Sequence, residues 1–289
     1  MVPSRMLSRV TAGAVLALAV AVPLYAQGQS NGKGNSHKSS PPSSSPLPSP
    51  VTGPAASVPA PVAWIDDASL LAPGWMAVTV SSTRWSGTDL SEVNFPVVDT
   101  SVGLTPRLQI GASVPHIVGG ADGTPVGGVG TSYITSKIAV LTGASEIKLA
   151  VSPLLQILGD AAVQSLVAGD GRVQFGLPVS VELAQGPARV FASTGFFSRG
   201  IWFAGGGVSV QATPKVGASL SFTRSWSNDS ATGVSADRRE LSGGASYLVK
   251  PQVAVFGALG RTIGTTDESG AGTTVSGGVS VLFNARSTK

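Results

Sequence analysis

The most constraining feature of this chain is a strict alternation of apolar and small polar residues, clearest between Val216 and Trp226. Its apolar positions are Val216, Ala218, Leu220 and Phe222, and the residues between them include Gly217, Ser219 and Ser221. Successive side chains of a β-strand point to opposite faces, so this segment has one apolar face and one small polar face. The same pattern recurs over residues 108–114, 172–184 and 275–283. It predicts that the chain is built largely from long amphipathic strands.

The composition of the polar faces indicates which way these strands turn. Gly, Ser, Thr and Gln cannot fill a core as Leu or Phe would, but they suit the wall of a lumen whose outside faces lipid. Of the 289 residues, 42% are hydrophobic and only 12% are charged, about half the charged share of a soluble domain. The sequence therefore predicts an all-β fold, a transmembrane antiparallel up-and-down β-barrel. A soluble secreted β-protein is the less favoured alternative.

The first part of the chain has the composition of a leader followed by a linker. Residues 1–26 resemble a signal peptide, with Arg5 and Arg9, an apolar run over 12–22 and cleavage expected after Ala26. The apolar run is shorter than the roughly 20 residues that a transmembrane helix needs. Residues 27–63 are rich in Ser and Pro and are predicted to be a disordered linker. The linker is expected to be a spacer, a periplasmic tether or a partner-binding arm. The barrel is expected over residues 64–289.

Cysteine and charge counts argue against other classes. The chain has no cysteine, which fits an exported bacterial protein and excludes a lipid-modified cysteine anchor. The net charge of +4 falls to +2 when Arg5 and Arg9 leave with the leader. Nucleic-acid binding therefore has little support.

Twelve strands are predicted, each long enough to cross the hydrocarbon at a tilt, which takes about 9–11 residues. They are residues 74–86, 91–105, 107–118, 130–142, 146–157, 172–184, 188–199, 201–213, 215–226, 238–249, 252–263 and 273–283. Their connections alternate between short turns built on Pro or Gly and longer loops, as periplasmic turns and outer loops do. Because the strand number is even, both termini are expected on the periplasmic side of the bacterial outer membrane.

Aromatic residues near predicted strand ends suit the two membrane interfaces, where amphipathic rings are favoured. The predicted interface residues are Trp75, Trp85, Tyr133, Trp202, Trp226, Tyr247 and Phe283. Aromatic residues also gather at strand ends in soluble proteins, so this indication is weaker than the strand pattern.

Charged and aromatic residues on the polar faces are the candidate lumen lining. The candidates are Lys137, Lys148, Glu182, Arg189, Phe191, Phe197 and Arg199. A charge on a barrel strand is costly unless it faces water or a partner. These side chains form either a permeation pathway or an internal salt-bridge network that closes a narrow lumen. Residues 160–168 are either an ordinary outer loop or a short helix that constricts the mouth.

Catalytic and metal-binding patterns are weak. Ser145 and Lys148 match a Ser-x-x-Lys motif, but its Lys-Thr-Gly partner is missing. His37 lies in the linker, and His116 alone cannot build a histidine metal cluster. No Ser and acidic residue are clearly placed to complete a triad with His116. We therefore expect no enzyme activity, no cofactor and no metal site.

One segment, Ser101–Pro115 with the sequence SVGLTPRLQIGASVP, follows an acidic pair at Asp66 and Asp67 and the run Pro73–Trp75. With these features the chain resembles the outer-membrane barrels associated with transport in the phenol meta-degradation pathway. The likeness covers the chain from about Trp64 to its end. It implies uptake of small molecules, with aromatic compounds as candidate substrates, and it supplies no catalytic residues. The Ser/Pro-rich linker and residues 284–289 depart from that family.

Two functions remain open from the sequence. The first is a passive channel or transporter for small, hydrophobic or aromatic molecules. The alternative is a non-conducting structural or anchoring barrel with a periplasmic tether. Twelve strands permit both, because about eight strands are just filled by side chains and about 16 or more leave an aqueous channel. The expected partners are outer-membrane lipid, the outer-membrane assembly machinery and a small-molecule substrate.

Overall fold

The structure is a computed structural model that describes residues 67–87, 91–119, 127–141, 147–160, 172–198, 200–227, 237–266 and 270–284. The predicted signal peptide and linker, residues 1–63, lie outside the described residues. Of residues 160–168, only Asp160 is described, so neither alternative for that stretch is decided. Among the described residues, no helix combines the length and the apolarity needed to cross a membrane.

Fourteen β-segments make up the described fold. They are β1 (Trp75–Ser86), β2 (Ser91–Thr105), β3 (Leu108–Gly119), β4 (Gly128–Val129), β5 (Thr131–Leu141), β6 (Ile147–Val151), β7 (Leu154–Leu158), β8 (Val173–Gln185), β9 (Ala188–Phe197), β10 (Ile201–Thr213), β11 (Val216–Ser227), β12 (Asp237–Lys250), β13 (Val253–Thr265) and β14 (Thr273–Asn284). Gly130 alone separates β4 from β5, and Ser152 and Pro153 separate β6 from β7. The segments therefore form twelve wall strands, which confirms the predicted set.

The wall is a closed antiparallel sheet. Consecutive wall strands pair with one another, and β1 pairs with β14 from Trp75 to Ser86. β5 continues the wall from β3, while β6 and β7 both lie between β5 and β8. The first and last strands would be unprotected edges in an open sheet, and their pairing removes those edges. The predicted up-and-down barrel is confirmed.

The apolar faces of the strands point outward. Val173 and Leu259 are 61% and 58% exposed, whereas the inward-facing Ser180 and Ser280 are 0% and 1% exposed. This is the inverse of a β-sandwich, whose apolar side chains lie between the sheets. A closed barrel with an apolar outer surface and a polar inner wall has the architecture of a transmembrane β-barrel.

Small hydroxyl side chains form hydrogen-bonded pairs across the inner wall. Thr79 donates to the Ser280 hydroxyl over 2.9 Å, and the hydroxyls of Ser221 and Ser242 are 2.7 Å apart. Cross-strand side-chain pairs of this kind stabilise a sheet beyond its backbone ladder. At these pairs the Ser- and Thr-rich face is bonded to itself as well as polar.

Glycines of the inner wall lie beneath aromatic rings. A Cβ on Gly207 would come within 2.8 Å of the Phe191 ring, and a Cβ on Gly176 within 2.7 Å of the Phe197 ring. An aromatic ring that covers a strand glycine offsets the stability lost there. These glycines let large rings lie flat against the wall instead of extending across the lumen.

The connections distinguish the two ends of the barrel. The short-turn end carries the connections at 106–107, 186–187, 214–215 and 251–252, together with the start of β1 and the end of β14. The long-loop end carries the wider gaps after β3, β7, β11 and β13. Both ends of the barrel chain therefore lie at the short-turn end.

The outward position of Val279 near the middle of β14 generates a test of the barrel orientation. Val279→Arg should lower the free energy of unfolding by about 2–4 kcal/mol, because the charge would sit near the bilayer midplane. Phe283→Arg, on the same face but at the short-turn end, should cost only about 0–1 kcal/mol. Urea unfolding of the protein in phospholipid vesicles measures both. Equal losses at the two positions would contradict a membrane-embedded outer face.

Candidate functional site in the barrel lumen

The short-turn end of the inner wall brings together several predicted lumen residues: Lys137 of β5, Lys148 of β6, Glu182 of β8 and Arg189 of β9. Strand register explains part of this grouping, because Lys148 lies directly opposite Glu182. Each residue also falls on the polar alternation of its own strand and so faces inward. The inward placement follows the sequence pattern, while a role in permeation stays a prediction.

Residues 67–74, the N-terminal segment, lie inside this end of the barrel. The Lys137 ammonium donates to the backbone oxygens of Asp67 and Ser69 over 2.9 and 3.2 Å. The Arg189 guanidinium is 3.6 Å from the Asp67 carboxylate. Lys137 is 8% exposed, and a buried charge needs partners of this kind. The segment supplies them.

Glu182 is the centre of the network. The Ser69 hydroxyl donates to Glu182 Oε2 over 2.6 Å, and the Lys148 ammonium donates to Oε1 over 3.0 Å. Lys148 also donates to the Ser69 hydroxyl over 2.9 Å, and Arg189 is 4.0 Å from Glu182. The Glu182 side chain is 0% exposed, and a buried carboxylate is tolerated only when it is paired and hydrogen-bonded. Glu182 is therefore one of the residues that join the wall to the segment.

Backbone contacts also hold the N-terminal segment. The Leu71 N–H donates to Gln109 Oε1 over 2.7 Å, and the Gly74 N–H donates to the Gly103 carbonyl over 2.8 Å. A Cβ on Gly103 would collide with the carbonyl oxygens of Leu71 and Ala72. Glycine is thus required where the segment crosses the wall at close range. Nothing in the strand pattern predicts this crossing, because the segment has no period of its own.

An aromatic patch covers the inner wall of β9 and β10. Phe191, Phe197 and Phe203 are 8%, 4% and 3% exposed, and Leu154 and Ile201 pack against them. The ring centroids of Phe197 and Phe203 are 5.4 Å apart, within the range of favourable aromatic pairs. The inward positions of Phe191 and Phe197 agree with their strand alternation. Phe203 was missed by the sequence reasoning, although its position in the alternation of β10 would have placed it there.

A second charged group lies on the inner wall near the long-loop end and was also missed. Arg238 and Glu240 of β12 are 6% and 8% exposed, with Arg238 Nε 3.8 Å from Glu240 Oε2. The Arg238 guanidinium lies 5.5 Å from the centroid of the Trp85 ring, a cation–π distance. The alternation of β12 could have predicted the inward positions of Arg238 and Glu240, because both share the face of Ser242. The inner wall thus carries charged groups toward both ends.

The aromatic residues predicted for the membrane interfaces divide between the two faces. Trp202 and Tyr247 are each 46% exposed and Phe283 is 39% exposed. Trp226 lies beside Trp202 in the strand register. These residues are on the outer surface near strand ends, and their contact with lipid headgroups stays a prediction.

Trp75, Trp85 and Tyr133 lie on the inner wall, so the interface position predicted for them is wrong. Trp75 packs against the buried cluster of the N-terminal segment that contains Leu71. A Cβ on Gly272 would come within 2.5 Å of the Trp85 ring. Tyr133 shares the inward face of β5 with Lys137. Nearness to a strand end does not decide which face a ring occupies, because the period of two does.

The inner wall of the described residues carries charge pairs, hydroxyls and aromatic rings, and their contact with solutes stays a prediction. Arg199 lies outside the described residues, so its lumen position stays a prediction. Within the described ranges, no group of three or more His, Asp or Glu side chains could hold a metal ion. His116 is exposed on β3.

Comparison with known proteins supports the fold. No protein-family model and no curated protein matches the chain. The COG4313 outer membrane channel from Pseudomonas putida F1 aligns with a TM-score of 0.59 and 14% identity, over 76% of this chain and 100% of that chain. The KdgM porin in complex with disordered oligogalacturonate aligns with a TM-score of 0.50 and 7% identity, over 72% of this chain and 99% of that chain. At these identities the likeness shows the fold alone, that of an outer-membrane β-barrel.

The buried carboxylate at the centre of the network generates a stability test. Glu182→Gln should lower the free energy of unfolding by about 1–3 kcal/mol, because hydrogen bonds to a buried charge are replaced by weaker ones. Asp160→Asn is the matched control, since its ion pair with Arg172 joins side chains that are 85% and 58% exposed. An exposed pair should cost less than about 1 kcal/mol. Urea unfolding in vesicles measures both, and an equal or smaller loss for Glu182→Gln would contradict the network.

Proposed function

We propose that this protein is a passive channel of the bacterial outer membrane for small molecules. The observation that carries the proposal is a closed barrel with an apolar outer surface and a polar, charged inner wall. Membrane-spanning barrels satisfy their backbone groups between strands, and a polar interior can hold water. The similarity in fold to a channel and a porin supports the same function.

Under this proposal the short-turn end faces the periplasm. Short turns of bacterial membrane barrels are periplasmic, and the longer loops are extracellular. Both termini then lie in the periplasm, where the linker at residues 27–63 extends once the leader at residues 1–26 is removed. A protein at this location requires outer-membrane lipid and the outer-membrane assembly machinery as partners.

The N-terminal segment is proposed to narrow the periplasmic end of the pore. Its side-chain links to the wall run through Asp67 and Ser69. The wall partners Lys148 and Arg189 are 40% and 27% exposed, and ion pairs that reach water contribute little. These water-exposed contacts can exchange, and we infer that pore size depends on them. The buried Lys137, which bonds to the backbone oxygens of Asp67 and Ser69, holds the segment more firmly.

The inner wall supports two classes of small solute. Near the N-terminal segment three cations, Lys137, Lys148 and Arg189, face two carboxylates, Asp67 and Glu182, so this end carries a small positive excess that favours anions. The Phe191–Phe203 patch makes part of the inner wall apolar, but its rings are only 3–8% exposed, so an aromatic solute would have to displace their neighbours to stack on them. Aromatic substrates also agree with the family resemblance of the sequence.

A non-conducting structural barrel is the second candidate, and the same network favours it. Glu182 is fully buried and Lys137 nearly so, which indicates a closely filled short-turn end. In that case the linker acts as a periplasmic tether and the barrel as its anchor.

Conductance distinguishes the two candidates. The purified full-length protein in planar bilayers should give discrete current steps, and reversal potentials in a salt gradient should show a modest preference for anions. Deletion of residues 27–61 should leave the conductance unchanged if the protein is a channel. A correctly folded barrel without conductance would overturn the channel proposal and leave the structural barrel.

Loosening the N-terminal segment should widen the pore. The double variant Asp67→Asn and Ser69→Ala removes the carboxylate facing Arg189 and the hydroxyl that donates to Glu182. A loss of about 1–2 kcal/mol would shift the balance from held to released segment by about tenfold. Mean single-channel conductance should rise.

Thr213→Ala is the control for this variant, because Thr213 lies at the same end and its hydroxyl accepts from the backbone N–H groups of Lys215 and Val216 in its own turn. Its conductance should equal that of the unmodified protein. An unchanged conductance in the double variant would show that the segment does not limit the pore.

A further inference from the structure

Four arginines lie on the outer face of the wall in its long-loop half, on β1, β11, β12 and β13. With β14, which lies between β13 and β1, these strands are consecutive in the wall. The strand alternation directs the four side chains outward, and all are at least partly exposed. Asp237 is the one carboxylate on this face among the described strand residues of that half. The arginine patch consists of Arg84, Arg224, Arg239 and Arg261.

The height of the patch places it at the boundary between hydrocarbon and headgroups. β12 has 14 residues, and at a rise of about 3.4 Å per residue and a tilt of about 40° it spans roughly 36 Å of membrane normal. The apolar band of such a barrel is only about 25 Å tall, and Arg239 is the third residue of β12. Trp226 lies on the same face, with its ring centroid 5.4 Å from the Arg224 guanidinium, as expected at a membrane interface.

The patch carries more positive charge than the wall neutralises. Arg224 lies directly opposite Arg239 in the strand register, and like charges in that position repel. Asp237 lies between them: Arg224 donates to it through Nε and Nη2, each over 3.0 Å, and Arg239 donates through Nη2 over 2.9 Å. Arg261 donates to the neutral Thr273 hydroxyl over 2.6 Å. Four guanidinium groups and one carboxylate leave three positive charges in excess.

An apolar strip continues from the patch toward the middle of the membrane. Leu220, Leu241, Leu259 and Val275 belong to it and are 52%, 42%, 58% and 51% exposed. The register joins the strip to the patch, because Leu241 lies opposite Arg261 and Val275 lies opposite Arg84. A molecule that fits both surfaces has an anionic head and apolar chains. This combination describes a lipid.

A cavity beside Arg239 indicates the kind of head group. Its volume is about 210 Å³, and Asp237, Gly264, Thr265 and Thr266 line it together with Arg239. Guanidinium groups bind phosphate through two parallel hydrogen bonds, and they lose less hydration than an ammonium when they do so. A phosphate on a lipid head group therefore suits the cavity and the charge of the patch.

We propose that the arginine patch is a binding site for a phosphorylated glycolipid of the outer leaflet, the lipid class of lipopolysaccharide. The inference rests on the proposed function for its orientation, because the long-loop end must face the cell exterior. It does not depend on conductance. The phosphates of the glycolipid neutralise the excess charge of the patch, and its acyl chains cover the apolar strip.

Lipid binding by the purified full-length protein tests the site. The probe is diphosphoryl lipid A, added to the protein in detergent micelles, and native mass spectrometry measures the bound fraction. The protein should bind this probe at least tenfold more tightly than lipid A from which both phosphates have been removed. Inorganic phosphate in excess should displace little of it, because it lacks the acyl chains. Complete displacement would show an adventitious anion site and overturn the proposal.

Removing two arginines tests which residues bind the lipid. The double variant Arg239→Gln and Arg261→Gln should weaken binding of diphosphoryl lipid A by about tenfold or more, since each cation beside an anionic head group contributes about fivefold. Binding of the dephosphorylated lipid should not change. The matched control is Lys215→Gln with Lys250→Gln, which removes the same charge from exposed positions at the short-turn end. The control should bind both lipids as the unmodified protein does.

Removing the carboxylate of the patch should have the opposite effect. Asp237→Asn frees Arg224 and Arg239 from their shared anion, so affinity for diphosphoryl lipid A should rise severalfold. A purely structural role of the three residues would give no such gain. Heat-dependent gel mobility shows that each variant is folded.

Two results would overturn the glycolipid site. The first is equal affinity of the arginine variant and the lysine control for diphosphoryl lipid A, which would mean that the acyl chains alone determine binding. The second is unchanged lipid binding with loss of a crosslinked complex in membranes, which would assign the patch to a protein partner. Conductance in phospholipid bilayers without arginine-dependent lipid binding would leave the channel intact and reject this site. Arginine-dependent binding by a barrel that does not conduct would support the site and reject the channel.

Discussion

The backbone hydrogen bonding of a closed wall is the constraint on which the rest of this structure depends. An unpaired N–H or C=O group costs several kcal/mol in hydrocarbon, so each wall strand must find a neighbour and β1 must meet β14. Because the ladder already holds the wall closed, the inner face does not need to form a conventional apolar core. Gly, Ser and Thr can then occupy positions such as Ser180 and Ser280 that would weaken a soluble fold.

The polar inner face permits charged side chains inside the barrel, and the N-terminal segment forms hydrogen bonds with them. Glu182 is fully buried but receives hydrogen bonds from Lys148 and from Ser69 of the segment. A buried carboxylate that has lost one of its donors is costly. The wall and the segment therefore stabilise each other, and the same side chains that close the short-turn end set how readily it opens.

The strands could be predicted because a closed membrane barrel has an apolar outer face and a polar inner face, so apolar and polar residues alternate along each strand with a period of two. Proline or glycine turns separate one strand from the next. That period also placed Lys137, Lys148, Glu182 and Arg189 inside. The same period places Trp75 and Trp85 on the inner face, whereas their nearness to a strand end wrongly indicates the membrane interface. The path of residues 67–74 could not be predicted at all. It depends on long-range contacts such as Leu71 with Gln109, which leave no periodic mark.

The same constraint makes exceptions to it informative. A wall that only had to stay closed would be better served by a residue with an N–H at Pro153 and at Pro178. The cost of the missing bonds is bearable because the ladder remains in register on both sides of the break. The two losses fall beside each other in the wall, and a third lies at Pro115, which accepts from the Gly130 N–H but has no N–H to return. A closed wall therefore tolerates a few missing donors, provided that the strands on either side keep their register.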